Sequence, residues 1–276
     1  MFRKVYLEIS NLCNLNCSFC PGTRREPRML QVDEFRQLTE KLRGHTEYLY
    51  FHLMGEPLLH PSLQEFLAIA FERGFHVMIT TNGTLLREKE DLLIASPAVH
   101  KVNISLQSFE ANPASDLFEY LRSCTEFAKL ASSRGILCEF RLWTEGGLNT
   151  RNEEILRFLR QAFPEPWLPS RNGQKLSDRV WLDPGERFDW PDLQLDELRK
   201  TGFCYGLRDQ IGVLCDGTVV PCCLDHEGDI PLGNLFRQDL DEILSSPRAR
   251  AIYDGFSRRE AVEPLCRRCG YAMRFR

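Results

Sequence analysis

The sequence predicts an α/β fold: a partial six-stranded parallel (β/α) barrel followed by a small C-terminal α+β unit. Two observations predict the barrel and its end, and a third predicts the appendage. Short β-prone runs alternate with amphipathic stretches over the first two thirds of the chain. Strands separated by helices of that length pair in parallel through right-handed crossovers. The rhythm stops after Phe163, where five prolines (Pro164, Pro166, Pro169, Pro184, Pro191) fall within residues 164–202. From Gly202 onward, two β-prone runs, Ile211–Leu214 and Thr218–Pro221, flank Cys215-Asp216-Gly217, and Asp-Gly in that setting signals a tight hairpin.

In chain order, the first strand is expected at Lys4–Ser10, with Val5, Leu7 and Ile9 on one face. Further strands are expected at Tyr48–Leu53, His76–Thr80, Lys101–Leu106, Leu137–Trp143 and Arg179–Leu182. Helices fit Val32–Arg43, Ser62–Arg73, Lys89–Ser96, Leu117–Ser133, Asn152–Phe163 and, near the end, Leu240–Leu244. In the first of these Phe35, Leu38 and Leu42 recur at helical spacing, and Asp33 and Glu34 suit the positive end of a helix. Residues 1–185 are thus expected to form the core, 186–202 a linker and 203–276 the C-terminal unit. In a barrel of this kind, function collects at the C-terminal ends of the strands.

A formal net charge of −4 gives no push toward nucleic acid or an anionic membrane. The arginines near the C-terminus (Arg258, Arg259, Arg267, Arg268, Arg274, Arg276) read as a solvated face. No apolar run approaches the ~20 residues that span a bilayer, and the N-terminus lacks the apolar stretch of a signal peptide, so a cytoplasmic chain is expected. Eleven cysteines in a reducing compartment point to metal or redox chemistry before disulfides.

Cys13, Cys17 and Cys20 form C-x3-C-x2-C directly after the first strand. Three thiolates on one short loop suit three irons of a 4Fe-4S cluster and leave the fourth iron free to bind a small molecule. The alternative, a zinc loop, wants a fourth protein ligand nearby, and the sequence offers none. The triad, with Phe19 before its last cysteine, resembles the signature of the radical S-adenosylmethionine (SAM) superfamily. Further matches follow in that family's order: Gly55-Glu56-Pro57 after the second strand, similar to GGEP with Met54 in place of the first glycine, and Thr80-Thr81-Asn82-Gly83 after the third. Ser105 near the end of the fourth strand and Arg141 in the fifth complete the set, and the resemblance covers roughly residues 3–185.

The resemblance implies reductive cleavage of SAM at the cluster to methionine and a 5′-deoxyadenosyl radical, which takes hydrogen from an unactivated C–H bond. It implies a flavodoxin- or ferredoxin-type electron donor, and SAM contacts from Phe19, Gly55, Glu56, Asn82, Ser105 and Arg141. Glu56 would accept hydrogen bonds from the SAM amino group.

Cys204, Cys215, Cys222, Cys223, Cys266 and Cys269 hold more thiols than one closed cluster needs. A cysteine before a hairpin, one just after it and a terminal C-x2-C resemble the SPASM/twitch appendage of the same superfamily. That resemblance assigns Cys204, Cys222, Cys266 and Cys269 to one auxiliary 4Fe-4S cluster, as in the shorter twitch version. Cys215 falls where the family has no ligand, and Cys223 points opposite to Cys222 if the strand continues. A four-thiolate zinc site is the structural alternative. Cys124 and Cys138 read as buried core thiols.

The cysteine spacing is similar to that of a dehydrogenase that oxidises an aminocyclitol alcohol to a ketone, so a small polar metabolite is the preferred substrate. The rivals are a maturase acting on a peptide or protein, and a non-catalytic electron-transfer protein, against which the open-iron triad and Glu56 argue. A dehydrogenation needs a proton acceptor, and the candidates are His52, Asp183 and Tyr205. Each has a plainer reading, as a core histidine, a turn residue and a packing aromatic. Trp143 and Trp190 are candidates to line a substrate pocket or to sit in the core.

Overall fold

A computed structural model describes residues 1–112, 116–145, 151–171 and 173–275. Arg276 of the basic tail lies outside them. The strands are β1 (Lys4–Leu7), β2 (Tyr48–Tyr50), β3 (His76–Thr81), β4 (Val99–Ser105), β5 (Leu137–Glu145), β6 (Leu168–Ser170), β7 (Gly173–Ser177), β8 (Val180–Glu186), β9 (Gln210–Val213), β10 (Thr218–Val220) and β11 (Gly233–Asn234). The helices are α1 (Val32–Leu42), α2 (Leu63–Glu72), α3 (Leu86–Ala95), α4 (Leu117–Ser133), α5 (Asn152–Ala162), α6 (Leu240–Leu244), α7 (Pro247–Ser257) and α8 (Pro264–Arg267).

All eleven strands join one mixed sheet in the order β11-β10-β9-β1-β2-β3-β4-β5-β8-β7-β6. The six expected strands appear as β1 to β5 and β8, paired in parallel with their neighbours. The six parallel strands expected from the sequence thus form part of a mixed sheet of eleven strands. Two hairpins make the difference. At one edge β9 pairs in parallel with β1 from Lys4↔Gln210 to Leu7↔Val213 and brings β10 and β11 with it. At the other edge β6 and β7 pair antiparallel with each other and with β8, inside what the sequence reads as a proline-rich bridge. Those two strands escape a pattern search because β6 is exposed throughout and β7 buries only Leu176.

Alternation along the parallel strands divides the sheet into two faces. Val5, Leu7, Leu49, Ile79, Val102, Ile104 and Phe140 point to the helices and are fully buried. The opposite face carries Thr80, Lys101, Asn103, Glu139 and Arg141. On the helical side α1 shows how local sequence sets an element. Gln31 and Glu34 cap its N-terminus reciprocally, while Phe35, Leu38 and Leu42 are buried against the sheet. Asp116 caps α4 by accepting from the backbone N–H groups of Phe118 and Glu119 at 2.8 and 3.0 Å. Among the described residues no helix is long and apolar enough to cross a membrane.

Candidate functional site

The loop after β1 leaves and returns at one place. Leu30 N–H donates to the Ile9 carbonyl at 2.9 Å, and Asn11 N–H donates to the Arg28 carbonyl at 3.2 Å. Cys13, Cys17 and Cys20 lie on this excursion, at the C-terminal mouth of the sheet, with Cys20 N–H bonded to the Cys17 carbonyl at 3.0 Å. Burial pushes all three thiols up, Cys17 to about 11, and the other thiols of the triad add to the shift at Cys13 and Cys17. Thiols that sense one another in this way form a donor set that a cationic cluster would deprotonate.

The second loop docks on the first. Glu56 N–H donates to the Leu12 carbonyl at 2.8 Å. Gly55, at φ +77°, packs so closely that a Cβ would stand 2.4 Å from the Ser10 carbonyl oxygen and 2.8 Å from that of Leu12. Only glycine fits there. The Glu56 carboxylate is buried and accepts from Leu58 N–H (3.0 Å), the Thr81 hydroxyl (2.8 Å) and Asn82 N–H (2.7 Å). Burial raises its pKa to about 7 despite those donors. A carboxylate offers about four acceptor positions, so one remains for a ligand. Asn82 ties the third loop in, donating to Asn14 Oδ1 at 2.8 Å and approaching Cys13 Sγ at 3.9 Å. Ser105 ends β4 directly opposite Arg141. Phe19 lies under the Arg187 guanidinium, 5.6 Å away, and its carbonyl accepts from the Trp190 indole at 3.1 Å.

The polar face of the sheet continues from these loops. Lys101 binds Glu139 at 2.6 Å, and Arg141 reaches Glu139 at 3.4 Å and Thr80 at 3.5 Å. Burial works against ionisation of Glu139, yet the two cations hold its carboxyl below the usual range. Asp183, paired with Arg141 across the strands, accepts from the Trp143 indole at 3.1 Å. Burial and then Glu139 push the Asp183 carboxyl above its ordinary range. His52 approaches the Thr80 hydroxyl at 3.4 Å and packs edge-on to Tyr6. The third proton-acceptor candidate, Tyr205, stays 39% exposed and packs edge-on against Phe203 and Phe275. Among the described residues no hydrogen bond joins its hydroxyl to the polar face.

At the C-terminal end, Cys204, Cys222, Cys266 and Cys269 line one cavity with Leu224 and Leu265. Cys215 and Cys223 are not part of its wall. Burial, and then the neighbouring thiols, push Cys222 well up, and Cys269 rises to about 11. The four thiols thus share one cavity, and four thiolates are the donor set that closes a 4Fe-4S cluster.

Sequence reasoning missed the link between the two halves. Glu8, fully buried, receives both arms of the Arg25 guanidinium at 2.6 and 2.8 Å and accepts from Cys215 N–H at 3.0 Å. Arg28 donates to the Cys215 carbonyl at 2.7 Å. The residues after the cysteine triad are thereby fastened to the C-terminal hairpin. A charged residue on the face of β1 opposite Val5 and Leu7 was the available signal. Asn103, a polar residue between Val102 and Ile104, was missed in the same way, and Thr80 was read only as part of the Thr80-Thr81-Asn82-Gly83 match.

Residues 7–159 match the radical SAM superfamily, and residues 204–270 match an iron–sulfur cluster-binding domain, SPASM. A tungsten-containing aldehyde ferredoxin oxidoreductase cofactor-modifying protein of Pyrococcus furiosus is 32% identical over 108 residues, 38% of this chain and 30% of that protein. The chain spans between 30% and 54% of the length of this and two other curated relatives. The fold resembles that of BtrN in complex with AdoMet and 2-DOIA, with a TM-score of 0.56 and 19% identity over 98% of this chain and 93% of that one. It also resembles Streptococcus suis SuiB bound to the precursor peptide SuiA, with a TM-score of 0.63 and 15% identity over 96% of this chain and 71% of that one. The chain belongs to the radical SAM superfamily: it is an enzyme with a C-terminal SPASM domain, whose cofactors are a 4Fe-4S cluster, an auxiliary cluster and SAM.

Proposed function

We propose that this enzyme oxidises a small polar metabolite, a sugar or aminocyclitol alcohol, at an unactivated C–H bond. The observation that best supports this reading is the polar face of the sheet, where His52, Thr80, Asn103, Arg141 and Asp183 lie below the SAM loops. When bound, the cofactors supply reductive cleavage of SAM to a 5′-deoxyadenosyl radical and, at the auxiliary site, an electron acceptor. In this reading Cys13, Cys17 and Cys20 hold the first cluster, and Cys204, Cys222, Cys266 and Cys269 hold the second. Glu56 accepts a hydrogen bond from the SAM amino group in its remaining acceptor position, and Phe19, Gly55, Asn82, Ser105 and Arg141 surround the rest of SAM.

Asp183 serves as the proton acceptor. Trp143 holds one of its oxygens, and its raised pKa brings it nearer to the range of a working base. The substrate carbon would give a hydrogen atom to the 5′-deoxyadenosyl radical and its hydroxyl a proton to Asp183, and the auxiliary cluster, held by Cys204, Cys222, Cys266 and Cys269, would supply the acceptor for the remaining electron. Alcohol thus becomes ketone with atoms and electrons in balance. A flavodoxin- or ferredoxin-type donor in the cytoplasm completes the proposal.

Peptide modification is the second reading, and the likeness to peptide-bound SuiB favours it as much as the likeness to BtrN with 2-DOIA favours the first. The deciding experiment supplies the reduced enzyme and SAM with sugar and aminocyclitol alcohols deuterated at carbon. Deuterium is expected in 5′-deoxyadenosine together with a ketone, and Asp183→Asn should keep SAM cleavage while losing the ketone. Deuterium transfer from a peptide, with none from any alcohol, would replace the first reading by the second.

A further inference from the structure

Among the described residues, two polar atoms on the inner face are buried without a partner: Nδ1 of His52 and Oδ1 of Asn103. Asn103 itself is 1% exposed. Both residues touch the same hydroxyl, that of Thr80. Asn103 Nδ2 donates to Thr80 Oγ1 at 3.1 Å, and Arg141 Nη1 approaches that oxygen at 3.5 Å. A threonine hydroxyl has two lone pairs and one hydrogen. With both lone pairs facing donors, the hydrogen is directed to the remaining neighbour, His52 Nε2 at 3.4 Å. Nε2 then presents its lone pair, and in a neutral ring the hydrogen sits on Nδ1. The ring is neutral because burial, Arg141 and Lys4 all oppose its protonation.

We propose that Thr80 fixes His52 as the Nδ1–H tautomer, and that this buried donor and the Asn103 Oδ1 acceptor together bind a hydroxyl group of the substrate. A hydroxyl accepts and donates at once, so it satisfies both atoms. A carboxylate or phosphate would face the Asn103 oxygen without a hydrogen to share, and an ammonium would face the Nδ1 hydrogen without a lone pair. The same assignment removes His52 from the role of base, since its lone pair is held by Thr80, and leaves proton removal to Asp183. Thr80 is a positioning residue, acting through His52. This inference rests on the reading of the enzyme as acting on a hydroxylated metabolite and names the groups that hold it.

Two-bond nitrogen–proton correlation on the oxidised holoprotein, labelled with 15N-histidine, reads the tautomer without turnover. The expected result is Nδ1–H in the wild type, passing to the ordinary Nε2–H form in Thr80→Val with an unchanged melting temperature. A wild-type Nε2–H form would overturn the assignment. The ligand arm uses myo-inositol, a ring that presents only hydroxyls. It should shift the His52 Nδ1–H resonance, and Asn103→Leu, or Asn103→Ala if leucine does not fold, should weaken its binding about 3- to 10-fold. No shift with myo-inositol, or an equal shift with acetate, would overturn the hydroxyl site. Neither failure touches SAM cleavage or deuterium transfer, so the broader reading stands or falls separately.

Discussion

Glu56 offers the sharpest test of how SAM is held, because its carboxyl is buried and its pKa is raised to about 7. The SAM amino group donates more strongly to the ionised carboxylate than to the neutral acid. The sign follows directly: as pH falls through 7 the group takes up a proton and SAM affinity declines. With a pKa of 7, roughly one carboxyl in ten is ionised at pH 6 and nine in ten at pH 8, so the SAM dissociation constant should rise about tenfold between those limits. Glu56→Gln should weaken SAM binding about 10- to 100-fold at pH 8, the worth of a hydrogen bond to a charged group, and should abolish the pH dependence. Glutamine is the better replacement. Alanine would leave Leu58 N–H, Asn82 N–H and the Thr81 hydroxyl buried without an acceptor. The assay is anaerobic equilibrium binding of SAM to the unreduced holoenzyme from pH 6 to 8, with thermal melting as the control for folding. Equal slopes for wild type and Glu56→Gln would refute the reasoning, because the titrating group would then be another.

Gly55→Ala drives a methyl group against the Ser10 and Leu12 carbonyls, so iron bound at the N-terminal site should fall from about four atoms toward none while the C-terminal site keeps its own. Iron analysis that finds both sites full would show that the loop tolerates a side chain. Arg25→Met leaves the Glu8 carboxylate buried and unpaired, and should cost about 3–5 kcal/mol in denaturant unfolding. The double change Glu8→Gln with Arg25→Met should recover most of that loss, and a cost below about 1 kcal/mol for Arg25→Met alone would show that the pair adds little.

What the sequence revealed and what it concealed divide along one physical line. Local patterns were legible. The triad Cys13, Cys17 and Cys20 lies within eight residues, Gly55-Glu56-Pro57 is contiguous, and α1 declares itself through Phe35, Leu38 and Leu42. The β9–β10 turn was also visible, since Gly217 adopts φ +84° between Leu214 and Thr218, as Asp-Gly turns require. Relations between distant segments were not legible. Nothing local to Glu8 announces Cys215, 207 residues later, and nothing local to Thr80 announces His52 and Asn103. The hairpin β6–β7 failed for a third reason: it lies on the sheet edge, where little apolar burial is needed and no alternation is imposed.

The boundary expected near residue 203 falls inside a shared sheet. β9 lies beyond that boundary, yet it pairs with β1 over four residues, and β1 is the strand that launches the cysteine triad. The Glu8–Arg25 pair reinforces this ladder from the side, with Cys215 as its third member. Trp190 adds a further tie, bonding to Phe19 in the cluster loop while standing edge-on to His226. The expected linker, residues 186–202, thus contacts the loop of the cysteine triad through Trp190. The consequence concerns how cysteine deletions at the auxiliary site are to be read. Metal ligation contributes folding free energy, and β9 joins the C-terminal segment to the strand that precedes Cys13, Cys17 and Cys20. A loss of SAM cleavage on removing Cys266 and Cys269 would by itself be ambiguous between chemistry and structure. Only a variant whose β9–β1 pairing persists, as read by amide exchange at Val5 and Leu7, separates the electron-accepting role proposed for the second cluster from a structural one.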